Sequence, residues 1–182
     1  MFKRTLFSLS LAMLIFGQMY AQGASFGPQV GYQKARDADK GNVIGGAALR
    51  IKLNPVIGFE GAINYRQEKY ANEALTVRSW PIMLTGLIYP TSIIYGAIGF
   101  GWYNTSFDYN QNLSGYQDIE DKTIQKVGWH FGAGVDLPVG PASNFTADIR
   151  YVFLNYNFSG IPGSGELNSN FYVVTVGYLV AL

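Results

Sequence analysis

Val127-Gly128-Trp129-His130-Phe131-Gly132-Ala133-Gly134-Val135-Asp136-Leu137 is the stretch that decides the fold. Its odd positions are Val127, Trp129, Phe131, Ala133, Val135 and Leu137. Its even positions are Gly128, His130, Gly132, Gly134 and Asp136. Alternation at period two sends one set to each face of a β-strand. One face is apolar along its whole length, and the other is small or polar. The apolar face must meet apolar surroundings throughout. It lines either the inside of a soluble barrel or sandwich, or the outside of a barrel that sits in lipid.

The rest of the chain repeats the pattern. Residues 26–35 place Phe26, Pro28, Val30 and Tyr32 on one face. Residues 42–53 place Val43, Gly45, Ala47, Leu49, Ile51 and Leu53 together, opposite Arg50 and Lys52. Residues 57–66 place Ile57, Phe59, Gly61, Ile63 and Tyr65 opposite Glu60, Asn64 and Arg66. A three-residue turn, Asn54-Pro55-Val56, pairs Leu53 with Ile57. A two-residue turn would put Glu60 on the apolar face, so the pattern selects the longer one. In that register Arg50 lies across from Glu60, and a cross-strand ion pair is expected.

The fourth strand, residues 75–89, is apolar on both faces and is interrupted by Pro81. Trp80, Ile82, Leu84, Gly86 and Ile88 are expected outside. The fifth, residues 93–103, groups Ile94, Gly96, Ile98, Phe100 and Trp102. The opening stretch is the sixth. The seventh, residues 145–154, sets Phe145, Ala147, Ile149, Tyr151 and Phe153 opposite Thr146, Asp148 and Arg150. The eighth, residues 171–182, groups Tyr172, Val174, Val176, Tyr178, Val180 and Leu182. Short turns are expected at 54–56, 90–92 and 138–143. Connections at 36–41, 67–74, 104–123 and 155–170 are mostly longer and hold most of the charge. Eight strands of even spacing with this alternation predict an all-β, eight-stranded antiparallel up-and-down barrel.

Composition bounds its surroundings. The 182 residues suit one domain, and a net charge of +1 points away from nucleic acid. Charged residues make up only 14%, against roughly 25% in an ordinary soluble domain. With no Cys there is no disulfide, thiolate metal site or lipid-modified cysteine. Lys3 and Arg4, the apolar run 6–16, and the small residues Ala21, Gly23 and Ala24 read as a signal peptide over 1–23. Cleavage is expected near 21–24, leaving 24–182 as the barrel domain. The apolar run is shorter than the ~20 residues of a spanning helix.

Three features favour lipid outside over a soluble, lipocalin-like carrier, the alternative. The polar face is mostly Gly, Ala, Asn, Thr and Tyr, where a water-exposed face would carry many charges. Strand length matches the ~9–11 residues that cross a bilayer at a tilt, and short turns alternate with longer loops. Tyr32, Tyr65, Trp80, Tyr89, Trp102, Tyr151 and Tyr172 stand near strand ends, as aromatic girdles do. The barrel must then close, because hydrocarbon offers backbone groups no partner.

Residues 128–136, Asp148-Ile149-Arg150-Tyr151 and the chain end resemble the small outer-membrane β-barrel family of OmpA- and OmpX-like porin-family proteins. The resemblance implies an integral outer-membrane barrel of a Gram-negative bacterium, with short turns on the periplasmic side. It also implies a C-terminal signal read by the barrel-assembly machinery, at Thr175, Gly177, Val180 and Leu182. The family usually ends in an aromatic residue, and Leu182 departs from that.

No catalytic constellation is found. His130 is the only histidine. It resembles the base of an eight-stranded lipid A deacylase, but the serine expected two residues on is Gly132. The inward set Arg50, Lys52, Glu60, Arg66, His130, Asp136, Asp148 and Arg150 is expected to form a polar network in the lumen. Eight strands enclose an interior that side chains nearly fill, so the network is read as a plug before a pore. The acidic residues Asp118, Glu120 and Asp121 lack the spacing of a calcium loop. The expectation is a non-enzymatic, monomeric barrel with no cofactor and no metal, whose role is structural, porin-like, or recognition of an extracellular ligand through its loops. Fold alone does not choose among these.

Overall fold

The computed structural model describes residues 23–38, 40–70, 75–109, 122–154 and 170–182. The signal segment up to residue 22, the acidic cluster, and residues 110–121 and 155–169 of the long connections lie outside the described residues. Eight strands follow in order: β1 (Ala24–Ala35), β2 (Asn42–Lys52), β3 (Ile57–Tyr70), β4 (Leu75–Ile88), β5 (Ile94–Tyr109), β6 (Lys122–Gly140), β7 (Ser143–Phe153) and β8 (Phe171–Ala181). Each pairs antiparallel with its successor, and β1 pairs with β8 to close the barrel. Closure removes both sheet edges, which an apolar surround requires.

Alternation assigns the faces as expected. Val127, Trp129 and Phe131 are exposed on the outside, while His130 between them is fully buried. In the β2–β3 turn the Leu53 N–H donates to the Ile57 carbonyl at 3.0 Å. The Asn54 side chain accepts from the Val56 and Ile57 N–H groups, each at 2.8 Å, and so holds the turn. Arg50 pairs with Glu60 in register. On β4 Trp80, Ile82, Leu84 and Ile88 are exposed outside, and Leu75, Val77, Met83 and Leu87 are buried inside. The β3–β4 ladder passes from Ile63–Ile82 to Arg66–Ser79, skipping the level of Pro81, which has no N–H to donate. Outside that gap the rings of Tyr65 and Trp80 pack with centroids 4.7 Å apart.

Several expected boundaries are corrected. β3 continues to Tyr70, β5 to Tyr109, and β6 starts at Lys122 and runs to Gly140. Most polar residues of these segments are instead the outer face of strands whose inner face is largely apolar, with Glu68 and Thr105 turned inward and buried. Tyr70, Leu75, Val77, Phe107, Val152, Leu154 and Phe171 are buried in one inner cluster. Outside, at the same level, Arg78 pairs with Asp108 at 3.0 Å, and the Gln125 amide donates to the Asn104 side chain at 2.9 Å. The expected 138–143 turn shrinks to residues 141–142.

Tyr89 is also corrected. It is 2% exposed, not part of an outer girdle. Its hydroxyl donates to Asp136 at 3.2 Å inside the barrel.

Candidate functional site

The inner face of the middle barrel is built from two strand pairs and their neighbours. β3 carries Glu60, β2 carries Arg50 and Lys52, β6 carries His130 and Asp136, and β7 carries Asp148 and Arg150. Glycines on β6 make room for these long side chains. A Cβ at Gly132 would lie 2.2 Å from the Ile149 carbonyl and 2.9 Å from the Arg150 side chain. At Gly134 it would lie 2.6 Å from the Tyr95 ring. The alternation of Gly with His and Asp therefore serves packing across a narrow lumen.

Two arginines clamp one carboxylate. Arg50 donates to Glu60 through Nε at 3.1 Å and Nη2 at 2.5 Å, and Arg150 Nη2 reaches the other Glu60 oxygen at 2.7 Å. Arg150 also donates to both oxygens of Asp148, at 3.0 and 2.9 Å. Arg50 reaches Asp136 at 3.4 Å, and Lys52 reaches the same oxygen at 2.9 Å. Neutral groups complete the shells. Tyr95 and Thr175 donate to Asp148, each at 2.9 Å, and Asn144 donates to Asp136 at 2.5 Å. Arg50 lies over the Tyr95 ring at 4.6 Å. Such forked, charge-assisted contacts are the strong class of hydrogen bond.

His130 touches this network at one remove. Its Nε2 lies 2.9 Å from the Thr85 hydroxyl, which accepts from Arg150 at 3.2 Å. Nδ1 has no hydrogen-bond partner among the described residues. No hydroxyl nucleophile accompanies the ring on β6, where residue 132 is glycine.

Arg66 is inward and buried but belongs to a separate, higher layer. It ion-pairs with Glu68, which also accepts from Tyr70 at 2.8 Å and Gln33 at 3.3 Å. The Arg66 guanidinium lies 3.9 Å from the Phe171 ring centroid. Between the layers a cavity of about 30 Å³ touches Arg66, Arg150, Gln33, Asn64 and Thr175, room for about one water. Glu68 was missed because the third strand was ended too soon. It continues the even parity of Glu60 and Arg66. Tyr95 alternates with the outward set Ile94, Gly96 and Ile98 and so faces inward, but nothing in a one-strand pattern says which charge its hydroxyl meets.

At the chain end Thr175 and Gly177 face inward while Val180 and Leu182 are outside. Among the described residues no group of three His, Cys, Asp or Glu side chains is placed to hold a metal ion.

Comparison with known proteins agrees with this architecture. No curated protein matches the chain. Among solved structures it is similar to Neisserial surface protein A of Neisseria, at 15% identity and a TM-score of 0.61, covering 89% of this chain and 99% of that one. It is also similar to OprG of Pseudomonas aeruginosa, at 15% identity and a TM-score of 0.51, covering 88% and 95%. A third is Ail, the attachment invasion locus protein of Yersinia pestis, solved with the heparin analogue sucrose octasulfate. It shares 13% identity at a TM-score of 0.50, covering 88% and 100%. At such identities the likeness is one of fold. The family model described as outer membrane protein beta-barrel domain matches residues 7–179, and the chain belongs to that family of outer-membrane β-barrels.

Proposed function

We propose that this protein is a plugged barrel, exported to the outer membrane of a Gram-negative bacterium by a cleaved signal peptide. In this reading it is monomeric and not an enzyme. Its role is carried by its wall and its external loops, not by conduction. The observation that supports this is the charge-matched lumen. Arg50, Lys52, Arg66 and Arg150 face Glu60, Glu68, Asp136 and Asp148, and seven of these eight are buried. A charge out of water is held only when paired and hydrogen-bonded, and breaking such a set is costly. An ion crossing the barrel would have to part both the Arg50–Glu60–Arg150 layer and the Arg66–Glu68 layer.

Insertion is assigned to the barrel-assembly machinery, reading Thr175, Gly177, Val180 and Leu182. Surface recognition is supported by the upward extension of β3 to β6. Four strands carry a polar outer face beyond the last apolar residues Tyr65, Trp80, Trp102 and Val127, where loops and protruding strands present side chains to a partner.

The test is planar-bilayer recording of the refolded protein, with folding checked by the mobility shift between unboiled and boiled samples. A silent bilayer is expected. Discrete, reproducible steps whose size changes in Glu60→Gln would overturn the plug and establish a minor pore.

A further inference from the structure

The outer face of β1 changes character sharply. Phe26, Pro28, Val30 and Tyr32 face lipid, and the next two outward positions are Lys34 and Arg36. Both cations are exposed. Neither side chain makes an ion pair or hydrogen bond to another described residue. Two other outward cations near this level are occupied: Arg78 is paired with Asp108, and Lys69 has a partner. Below the two cations lies a groove of about 260 Å³, lined by Tyr32, Lys34, Ala35, Arg36, Tyr172 and Val174. Lys34 stands directly across from Tyr172, and Tyr32 from Val174, so the floor spans the β1–β8 seam. The groove continues downward into the lipid-facing row of Val30 and Val176, both exposed. Its wall is held from the β1–β2 connection, where the Tyr32 ring packs so closely on Gly41 that a Cβ there would overlap it.

We infer that this groove is a binding site for one phosphorylated membrane lipid, in the leaflet at the long-connection end of the barrel. Lys34 and Arg36 take the phosphate, and an acyl chain lies along Tyr32, Val174 and Val30. The site sits at the aromatic level, where headgroups meet the barrel. Two cations with no partner among the described residues match an anionic headgroup there, and a cation near a membrane surface is worth about fivefold in binding. The apolar floor distinguishes a lipid from a soluble anion, which would leave Tyr32 and Val174 bare. The inference needs the barrel to be embedded in lipid but is independent of whether its lumen is plugged.

The experiment is native mass spectrometry of the refolded, detergent-solubilised barrel, titrated with phosphatidylglycerol or phosphatidylcholine. Wild type should retain one phosphatidylglycerol well above phosphatidylcholine. Lys34→Gln or Arg36→Gln should weaken retention about fivefold each, and the double variant about thirtyfold, while Lys126→Gln should leave it unchanged. All three positions are exposed, so folding is expected to survive and is checked by the gel shift. Equal retention of the two lipids would overturn the site. So would a preference that persists in the double variant. Binding of soluble glycerol phosphate as tight as that of phosphatidylglycerol would make it a free-anion site instead and overturn the lipid assignment.

Discussion

The two halves of the barrel wall obey opposite rules. In the half with short turns the inside is polar and the outside apolar: Arg50, Glu60, Asp136 and Arg150 are buried within, while Ile57, Leu84, Ile98 and Phe131 are exposed without. In the half that rises into the long connections, Tyr70, Leu75, Val77 and Phe107 fill the interior. There Arg78, Asn104, Ser106 and Asp108 stand outside. The inversion falls where outward Tyr65, Trp80 and Trp102 give way to polar residues, and it records a change of solvent. Lipid selects an apolar exterior. Water selects an apolar interior, as in any soluble barrel. One continuous set of strands therefore carries both patterns without a break in register.

The largest expected effect is in the lower half. Arg150→Ala strips Glu60 and Asp148 of a shared partner and should cost about 4 kcal/mol, read from denaturant unfolding of the refolded barrel. An unchanged midpoint would mean that the lumen is wet and its charges are not buried. In the upper half, Leu75→Ala should cost about 3 kcal/mol through lost apolar burial and a cavity, in the same assay. A negligible cost would break the comparison, because the upper interior would then not be a packed core. The solvent boundary is sharpened by an outer-face pair. Ile98→Arg, mid-belt, should cost about 2–3 kcal/mol in lipid, whereas Asn104→Arg, two outward positions beyond Phe100 and past Trp102, should cost well under about 1 kcal/mol. Equal penalties would move the boundary.

Gly132→Ala and Gly96→Ala compare the two faces at one substitution. The first forces a methyl against the Ile149 carbonyl, while the second meets nothing within 4 Å. A loss of about 1–2 kcal/mol is expected for the first and none for the second. The smallest effect belongs to Arg78→Ala. Its ion pair with Asp108 is on the outside of the wall, with Arg78 54% exposed, and exposed pairs contribute about 0–1 kcal/mol. Added salt should abolish even that.

Local pattern made much of this legible. The Leu53–Ile57 register followed from keeping Glu60 off the apolar face, and it placed Arg50 opposite Glu60. The outward set on β4 followed despite Pro81. The ends of β3, β5 and β6 did not, because residues 67–70, 104–109 and 122–123 read as polar loop when only one solvent is assumed. Tyr89 was misplaced for a related reason. A tyrosine at a strand end suits a membrane interface, but this one turns inward to Asp136.

The sequence by itself determined the alternation, the strand number, the membrane-facing surface and the nearest-neighbour ion pair, because these depend on residues two apart or across one tight turn. Only the tertiary structure decided that Arg150 shares Glu60 with Arg50, that Arg66 leaves that network for Glu68, and that Lys34 and Arg36 overlook a groove made with β8. The first and last of these join residues about 90 positions apart or more across the lumen or the closing seam, and barrel closure brings them together; Arg66 and Glu68 are two apart, with Glu68 on a stretch of β3 that the pattern read as loop.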